Sequence, residues 1–276
     1  MNEYRPGGFQ ELPVVVKNLL IINVLVFLLT QALATRGIDL DNYLALHYWQ
    51  SPMFRWWQLL THMFMHGNWG HIFFNMFALW MFGRILENMW GPKRFLIFYI
   101  VCGVGAALCH LGVLTFEFSR FYNDFIVYQQ HPGLSQFREF IRIHHVAVNP
   151  ESMATWINNP TSQAEINDSI DFLSRYYFGD ARMPGMISEA TVGASGAIFG
   201  LLFAFGYLFP NTMLYVYFAI PIKAKWFVAI YAGIELFSGI QNSAGDNIAH
   251  FAHLGGMLFA FIMLRLWNKK IRSQFY

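Results

Sequence analysis

Residues 95–116 read FLIFYIVCGVGAALCHLGVLTF, a run of 22 residues without Asp, Glu, Lys or Arg. A helix needs about 20 apolar residues to cross a lipid bilayer, so this run is long enough for one span. Comparable uncharged runs occupy the windows 18–35, 56–83, 190–222 and 247–264. Together these runs indicate a membrane protein with several spans.

The composition indicates the same class. Of the 276 residues, 56% are apolar, 18% are aromatic and only 12% are charged. Soluble domains carry about 25% charged residues. These values exclude a disordered chain and a coiled coil, and a net charge of +2 without a basic face excludes a nucleic-acid partner. The expected surroundings are a lipid bilayer.

The uncharged runs predict an all-α polytopic membrane protein with six transmembrane helices. Pro210 divides the long window, and a further apolar run, 226–245, contains only one charged residue, Glu235. The predicted spans are 15–34, 69–89, 95–115, 193–209, 225–241 and 248–267. Between the first two spans, 36–68 is a Trp-rich connection with interfacial character.

A polar segment, 117–189, interrupts the predicted six-helix membrane core, which comprises 1–116 and 190–276. Its nine acidic and five basic residues give it a net charge of −4. Asn-Pro and Pro-Gly breaks predict several short helices in it. We expect an extracytoplasmic insertion between the third and fourth spans, which either docks substrates or is a tolerated loop.

The basic residues near the span ends predict the orientation. Lys and Arg concentrate in the turn 84–94, in the loop 210–225 and at the C-terminus, and such residues favour the cytoplasmic side. Both termini are then cytoplasmic, and the expected location is the inner (cytoplasmic) membrane of a bacterium, with an organellar membrane as the alternative. A cleaved signal peptide ending near Ala32-Leu33-Ala34 is an alternative for the first span.

Polar side chains inside membrane helices are functional candidates, because they are costly there. His71, Ser195 and His253 lie 12 to 15 residues before the predicted inner ends of their spans. At a rise of 1.5 Å per residue, all three lie roughly 18–22 Å above that edge. Asn75 shares a helix face with His71, because the two are four residues apart. The common depth predicts a single site.

These residue types suit nucleophilic catalysis. Ser195 begins its predicted helix, where free N–H groups favour a developing negative charge. The His253 imidazole can take the hydroxyl proton and return it to a leaving amine. His71, Asn75 and the Ser195 N–H can stabilise an oxyanion. The flanking Gly193 and Gly196 allow a tight turn and close approach of other backbone.

The sequence predicts a Ser–His dyad rather than a triad. The acid nearest to His253 on its own helix is Asp246, seven residues earlier and about 10 Å away along the axis. Asp246 is therefore interpreted as a helix cap. Glu235 lies inside the fifth predicted span and is given no catalytic role.

Other interpretations compete for some of these residues. The small-residue patterns that begin at Gly196 and Gly256 are typical of close helix packing. A haem or transport protein would need paired histidines on facing helices at two depths, which the sequence lacks. His62 and His66 are four residues apart, a spacing that could bind a metal on a helix, but no H-E-x-x-H motif accompanies them. We therefore expect them to organise the 36–68 connection, the first loop, by hydrogen bonds. No metal and no cofactor are expected.

The motifs around these residues resemble those of the rhomboid intramembrane serine proteases. The matching pieces are GASG at 193–196, AHLGG at 252–256, HxxxN at 71–75 and THMFMH at 61–66. Their order matches as well, and the resemblance extends over roughly 15–116 and 190–268.

The resemblance implies a six-helix serine endopeptidase with Ser195 as nucleophile and His253 as base. It also implies that His71, Asn75 and the Ser195 amide bind the oxyanion. The substrates would be transmembrane helices of other proteins, cut near their outer ends. A non-catalytic rhomboid-like protein that binds client helices is the alternative.

Two positions depart from the family pattern. Gln58 stands where the family usually has Arg, which puts an Arg-based contact in the first loop in doubt. Phe199 stands where Tyr is frequent, so it can stack on His253 but cannot donate a hydroxyl hydrogen bond.

Overall fold

The computed structural model describes residues 12–158, 162–179, 185–216, 220–241 and 250–272. Within these ranges the chain is mostly helical, as the sequence predicts. The helices are α1 (Val14–Ala34), α2 (Asp41–Leu44), α3 (Gln58–Thr61), α4 (Trp69–Ala78), α5 (Arg84–Trp90), α6 (Pro92–Gln130), α7 (Leu134–Ile143), α8 (Pro150–Asn158), α9 (Gln163–Phe178), α10 (Ser195–Leu208), α11 (Ala224–Gln241) and α12 (His250–Arg272). A π-helical turn, Leu79–Gly83, joins α4 to α5, and two 3-10 turns lie at His62–Phe64 and Met186–Ser188.

Three helices in the described ranges, α1, α6 and α12, are long and apolar enough to cross a membrane. The shorter α10 is also apolar. Large apolar side chains on these helices face outward, as for Leu25 of α1, which is 60% exposed. Such exposure is favourable in lipid, where apolar side chains need no burial by protein. The structure therefore fits a helical membrane protein, and the count of six spans stays a prediction.

The helix α6 is much longer than the sequence analysis predicts. The predicted span ends at 115, whereas α6 continues through Gln130 and has 39 residues. No Pro or Gly lies between Gly112 and Pro132 to break it. The charged residues after 116 end the apolar run, but they do not end the helix.

The C-terminal part of α6 packs with α7, α8 and α9 around an aromatic core of its own. This core follows one face of α6 and continues on the other three helices; its buried members include Phe118, Phe121, Phe125, Tyr128, Phe137, Phe140, Trp156, Leu173 and Tyr177. Tyr48 of the 36–68 connection joins the same core and contacts Phe118 edge to face. The polar segment is thus helical, and it packs on the end of α6.

Small residues bring α6, α10 and α12 together. A Cβ atom on Gly256 of α12 would overlap the Gly196 carbonyl of α10, and one on Gly196 would overlap Ala106 of α6. One turn further along α10, a Cβ on Gly200 would lie 2.7 Å from Cβ of Cys102. The absence of side chains at these positions lets the backbones of α10 and α12 approach closely.

The first helix is fastened at its start by a buried acid. The Glu87 carboxylate of α5 accepts hydrogen bonds from the N–H groups of Val15 and Val16, at 2.9 and 2.8 Å. These N–H groups belong to the first turn of α1, where no carbonyl of the same helix can reach them. The negative charge also faces the positive end of the helix dipole.

The 210–225 stretch is more regular than the loop that the sequence analysis assumes. Strands β1 (Met213–Val216) and β2 (Ile220–Lys223) pair antiparallel, with Met213 opposite Lys223. The hairpin connects α10 to α11.

Candidate active site

Ser195 and His253 form a hydrogen-bonded pair between α10 and α12. Ser195 is the first residue of α10, and His253 lies one turn into α12. The His253 Nε2 atom lies 2.9 Å from the Ser195 Oγ atom. His253 is only 9% exposed, so its ring is held by its neighbours. In this geometry the imidazole can accept the serine proton.

Gly193 shapes the turn that presents Ser195. Its φ of +131° lies in a region that other residues rarely adopt, and a Cβ atom there would lie 2.8 Å from the His71 ring. Its N–H donates to the His62 carbonyl at 2.9 Å, which fastens the turn to the 36–68 connection. The glycine therefore lets the His71 ring approach the turn that precedes Ser195.

His71 and Asn75 lie one turn apart on α4. Asn75 is buried, and its Nδ2 group has no hydrogen-bond partner among the described residues. Leaving such a donor unpaired costs about 1–3 kcal/mol, so it calls for an explanation. An acceptor on a bound molecule would satisfy this donor.

Phe199 packs face to face on His253. The two rings are inclined by 5°, and their centroids are 4.1 Å apart. Phe199 lies one turn after Ser195 on α10, so the stack holds the imidazole beside the hydroxyl. The stack of Phe199 on His253 that the sequence predicts is thus confirmed.

Glu235 of α11 lies beside the far side of the His253 ring. Its Oε2 atom is 2.9 Å from Nδ1 of His253 and 2.7 Å from Nδ1 of His250. The expectation that no acid orients His253 is therefore wrong. Residue spacing identifies an acid only on the helix of His253 itself, whereas Glu235 comes from the neighbouring helix. Asp246, interpreted as a cap, lies outside the described residues.

The same cluster is a candidate metal-binding group within the described ranges. Glu235, His250 and His253 each place one ligand atom within 4.8 Å of the others. The 2.7 and 2.9 Å separations fit N–H···O hydrogen bonds. In that arrangement the two histidines direct Nδ1–H groups, rather than lone pairs, at the acid.

The 36–68 connection is organised by buried polar side chains. Gln58 is fully buried; its side chain accepts from the Arg55 N–H at 3.0 Å and donates to the Met53 carbonyl at 3.0 Å. Gln58 thus makes local loop contacts at the position where an Arg is usual. His62 Nδ1 lies 2.8 Å from the Gln58 carbonyl, and burial lowers the pKa of His62 to about 4.

His66 differs from His62. Its ring nitrogens have no hydrogen-bond partner among the described residues, contrary to the expectation from sequence. Its ring packs edge to face on His71, with centroids 5.1 Å apart. The loop therefore reaches the candidate site through this ring contact.

Comparisons with known proteins agree with the motifs. The chain is 24% identical over 207 residues to RHOMBOID-like protein 12, mitochondrial, of Arabidopsis thaliana, covering 74% of this chain and 44% of that protein. It is 40% identical over 53 residues to Rhomboid protease GluP of Bacillus subtilis, covering 19% of this chain and 10% of that protein. Rhomboid protease AarA of Providencia stuartii shares 40% identity over 53 residues, 19% of each chain.

These matches span less than half the length of each of the three relatives. The family model of the Rhomboid domain matches residues 53–119 and 153–269, which is more than half of the chain. It includes the helices that carry His71, Ser195 and His253. The protein belongs to the rhomboid family.

Proposed function

We propose that the protein is an intramembrane serine endopeptidase that cleaves transmembrane helices of other proteins. The observation that carries this proposal is the 2.9 Å separation between His253 Nε2 and Ser195 Oγ. A nucleophile and a base within hydrogen-bond reach are the geometric requirement for this chemistry. The relatives that are named rhomboid proteases add support by analogy.

The proposed reaction proceeds in two stages. The Ser195 oxygen attacks the scissile carbonyl while its proton moves to His253 Nε2, and the carbonyl oxygen becomes an oxyanion. His71, Asn75 and the Ser195 N–H donate to that oxyanion. The proton then passes from His253 to the leaving amine, and water repeats the sequence to release the acyl group. Protons balance at each stage, and no cofactor or metal takes part.

The proposed topology has six spans: α1, α4 with α5, α6, α10, α11 and α12. Both termini are then cytoplasmic, 1–116 and 190–276 form the core, and the polar segment 117–189 lies outside as an insertion. The proposed location is a bacterial cytoplasmic membrane. The support is the concentration of Lys and Arg at the turns assigned to the inner side.

The proposed substrates are membrane-spanning helices that enter the site from the bilayer. Ser195 lies in the outer part of the proposed bundle, so the cut falls near the extracytoplasmic end of a substrate. The polar segment packs on α6, beside this end of the bundle, and its proposed role is to screen or dock substrates.

The second candidate function is binding of client helices without cleavage. A binding protein has no use for a serine proton acceptor, whereas His253 offers one. The Nδ2 group of Asn75, which has no acceptor in the described part of the chain, also favours the enzyme, because an oxyanion would accept its hydrogen bond.

The test compares wild-type protein with Ser195→Ala in detergent, using a transmembrane reporter and a fluorophosphonate probe. Ser135→Ala, which removes an exposed serine of α7, is the matched control. We expect cleavage and labelling of wild type and of the control, and neither for Ser195→Ala. Labelling that persists in Ser195→Ala would exclude this nucleophile, and inert wild-type protein with a folded core would favour the binding function.

A further inference from the structure

Glu235 is a buried acidic residue on α11, a helix that is otherwise mostly apolar and exposed. This helix buries only three residues among those described, Ala224, Val228 and Glu235. The apolar neighbours Ile234 and Phe237 are 53% and 63% exposed and face outward. A carboxylate on a helix of this kind is costly in a bilayer unless partners hold it, and it marks a functional position.

Two imidazoles hold the Glu235 carboxylate. Nδ1 of His250 and Nδ1 of His253 lie 2.7 and 2.9 Å from the same oxygen, Oε2. An ionised carboxylate only accepts hydrogen bonds, so each ring donates its Nδ1–H. Both histidines belong to α12, and Glu235 therefore joins α11 to α12 at the depth of the serine.

This contact determines which nitrogen of His253 can act on Ser195. A neutral imidazole carries one proton, and the carboxylate keeps it on Nδ1. The lone pair is then on Nε2, which lies 2.9 Å from the serine oxygen. The opposite tautomer would direct an N–H at the hydroxyl and could not take its proton.

We propose that Glu235 is a positioning residue that completes a Ser195–His253–Glu235 triad, an assignment that rests on the proposed function. Its carboxylate holds the ring of His253 in the orientation and tautomer that the reaction needs. When the serine proton arrives at Nε2, the ring becomes an imidazolium, and the Nδ1–H remains on the ring and donates to the carboxylate. The carboxylate stabilises the positive charge until the proton leaves with the amine.

A purely structural role makes a different prediction. If Glu235 only fastens α11 to α12, its loss should act through stability and substrate entry, as loss of any buried α11 side chain would. Val228→Ala is the matched control, because Val228 is buried on the same helix and carries no charge. Four measurements separate the two roles: thermal stability, KM, kcat and the rate of Ser195 labelling by a fluorophosphonate.

We expect Glu235→Gln to lower kcat and the labelling rate by about 10²–10⁴-fold, with KM within about threefold of wild type. Val228→Ala should lower thermal stability and leave the labelling rate near wild type. Glu235→Asp keeps the charge on a shorter side chain, so its labelling rate should fall between those of wild type and Glu235→Gln.

Wild-type kcat in folded Glu235→Gln would overturn the assignment, and so would equal losses in Glu235→Gln and Val228→Ala. If Glu235→Gln does not accumulate, Glu235→Asp decides: a labelling rate equal to wild type overturns the proposal. Wild-type protein that neither cleaves nor labels would overturn the proposed function itself.

A separate experiment tests whether Glu235, His250 and His253 bind a metal ion instead. Treatment of wild-type protein with EDTA should leave the labelling rate unchanged, since the triad needs no ion. Loss of labelling with EDTA that added Zn²⁺ restores would overturn the triad in favour of a metal centre of Glu235, His250 and His253.

Discussion

The phenyl ring of Phe199 lies flat on the imidazole of His253, with centroids 4.1 Å apart. The two residues belong to different helices, so the stack is a direct link between the helix of Ser195 and the helix of His253. It also limits rotation of the imidazole away from Ser195. Glu235 contacts one edge of the imidazole and Phe199 covers its face, so the two contacts restrict different motions of the His253 ring.

Replacing Phe199 tests the contribution of this stack. Aromatic pairs contribute about 0.5–1.5 kcal/mol beyond their burial, so Phe199→Leu should lower kcat about 2- to 10-fold. Phe199→Tyr keeps the ring and should stay near wild type. Reporter cleavage measures both, and a Leu variant as active as wild type would show that the stack does not orient His253.

Asn75→Leu should separate activity from stability. The substitution removes a buried donor that has no partner among the described residues, so the apparent Tm should rise, corresponding to a gain of about 1 kcal/mol. It also removes a donor of the proposed oxyanion site, so kcat should fall about 10²–10³-fold. Thermal unfolding and reporter cleavage are measured on the same sample. A loss of both properties would place Asn75 in the fold rather than in the reaction.

Gly193→Ala should disable the site while the helices remain folded. The new Cβ would require a positive φ and would collide with the His71 ring, at a cost of about 1–3 kcal/mol. Labelling of Ser195 should then fall below a tenth of the wild-type rate. Gly112→Ala is the control, because a Cβ there meets no atom of the described ranges within 4 Å. Equal labelling of the two variants would contradict the account of the turn.

Glu87→Gln tests the fastening of the first helix. In Glu87 each carboxylate oxygen accepts one of the two hydrogen bonds, whereas the Gln amide has one oxygen and one NH2 group. The variant therefore loses one acceptor and should lose about 1–3 kcal/mol of stability. Labelling of Ser195 at low temperature should be unchanged. An unchanged apparent Tm would show that the carboxylate adds nothing to α1.

The buried His62 predicts a pH dependence of stability. Its pKa of about 4 lies below the ordinary 6.5, so between these values the unfolded chain binds the proton and the folded protein does not. Stability should therefore fall as the pH is lowered from about 6.5 to about 4, by up to about 1.4 kcal/mol per pH unit. His62→Gln should reduce this slope, while replacement of the exposed His145 by Gln should keep it. Apparent Tm values across the pH series measure the slope, and equal slopes in all three proteins would exclude His62 as the cause.

The sequence predicted the helical membrane class and brought together Ser195, His253, His71 and Asn75 as candidates. It could do so because depth along a helix follows from counting residues. The contact of Glu235 with His253 could not be predicted in this way. It depends on which face of α11 packs against α12, and residue spacing does not specify that. One signal was available: Glu235 is the single charged residue in the run 226–245. The C-terminal end of α6 was predicted too early for another reason. Charged residues end an apolar run, but a helix can continue through them.

The uninterrupted course of α6 has a mechanical consequence. With 39 residues at 1.5 Å each, it is a rod about 58 Å long. One half carries the aromatic core of the polar segment, and the other half supports α10 directly at Gly196, next to Ser195. The aromatic core of the polar segment and the contact behind Ser195 are therefore carried by one continuous helix.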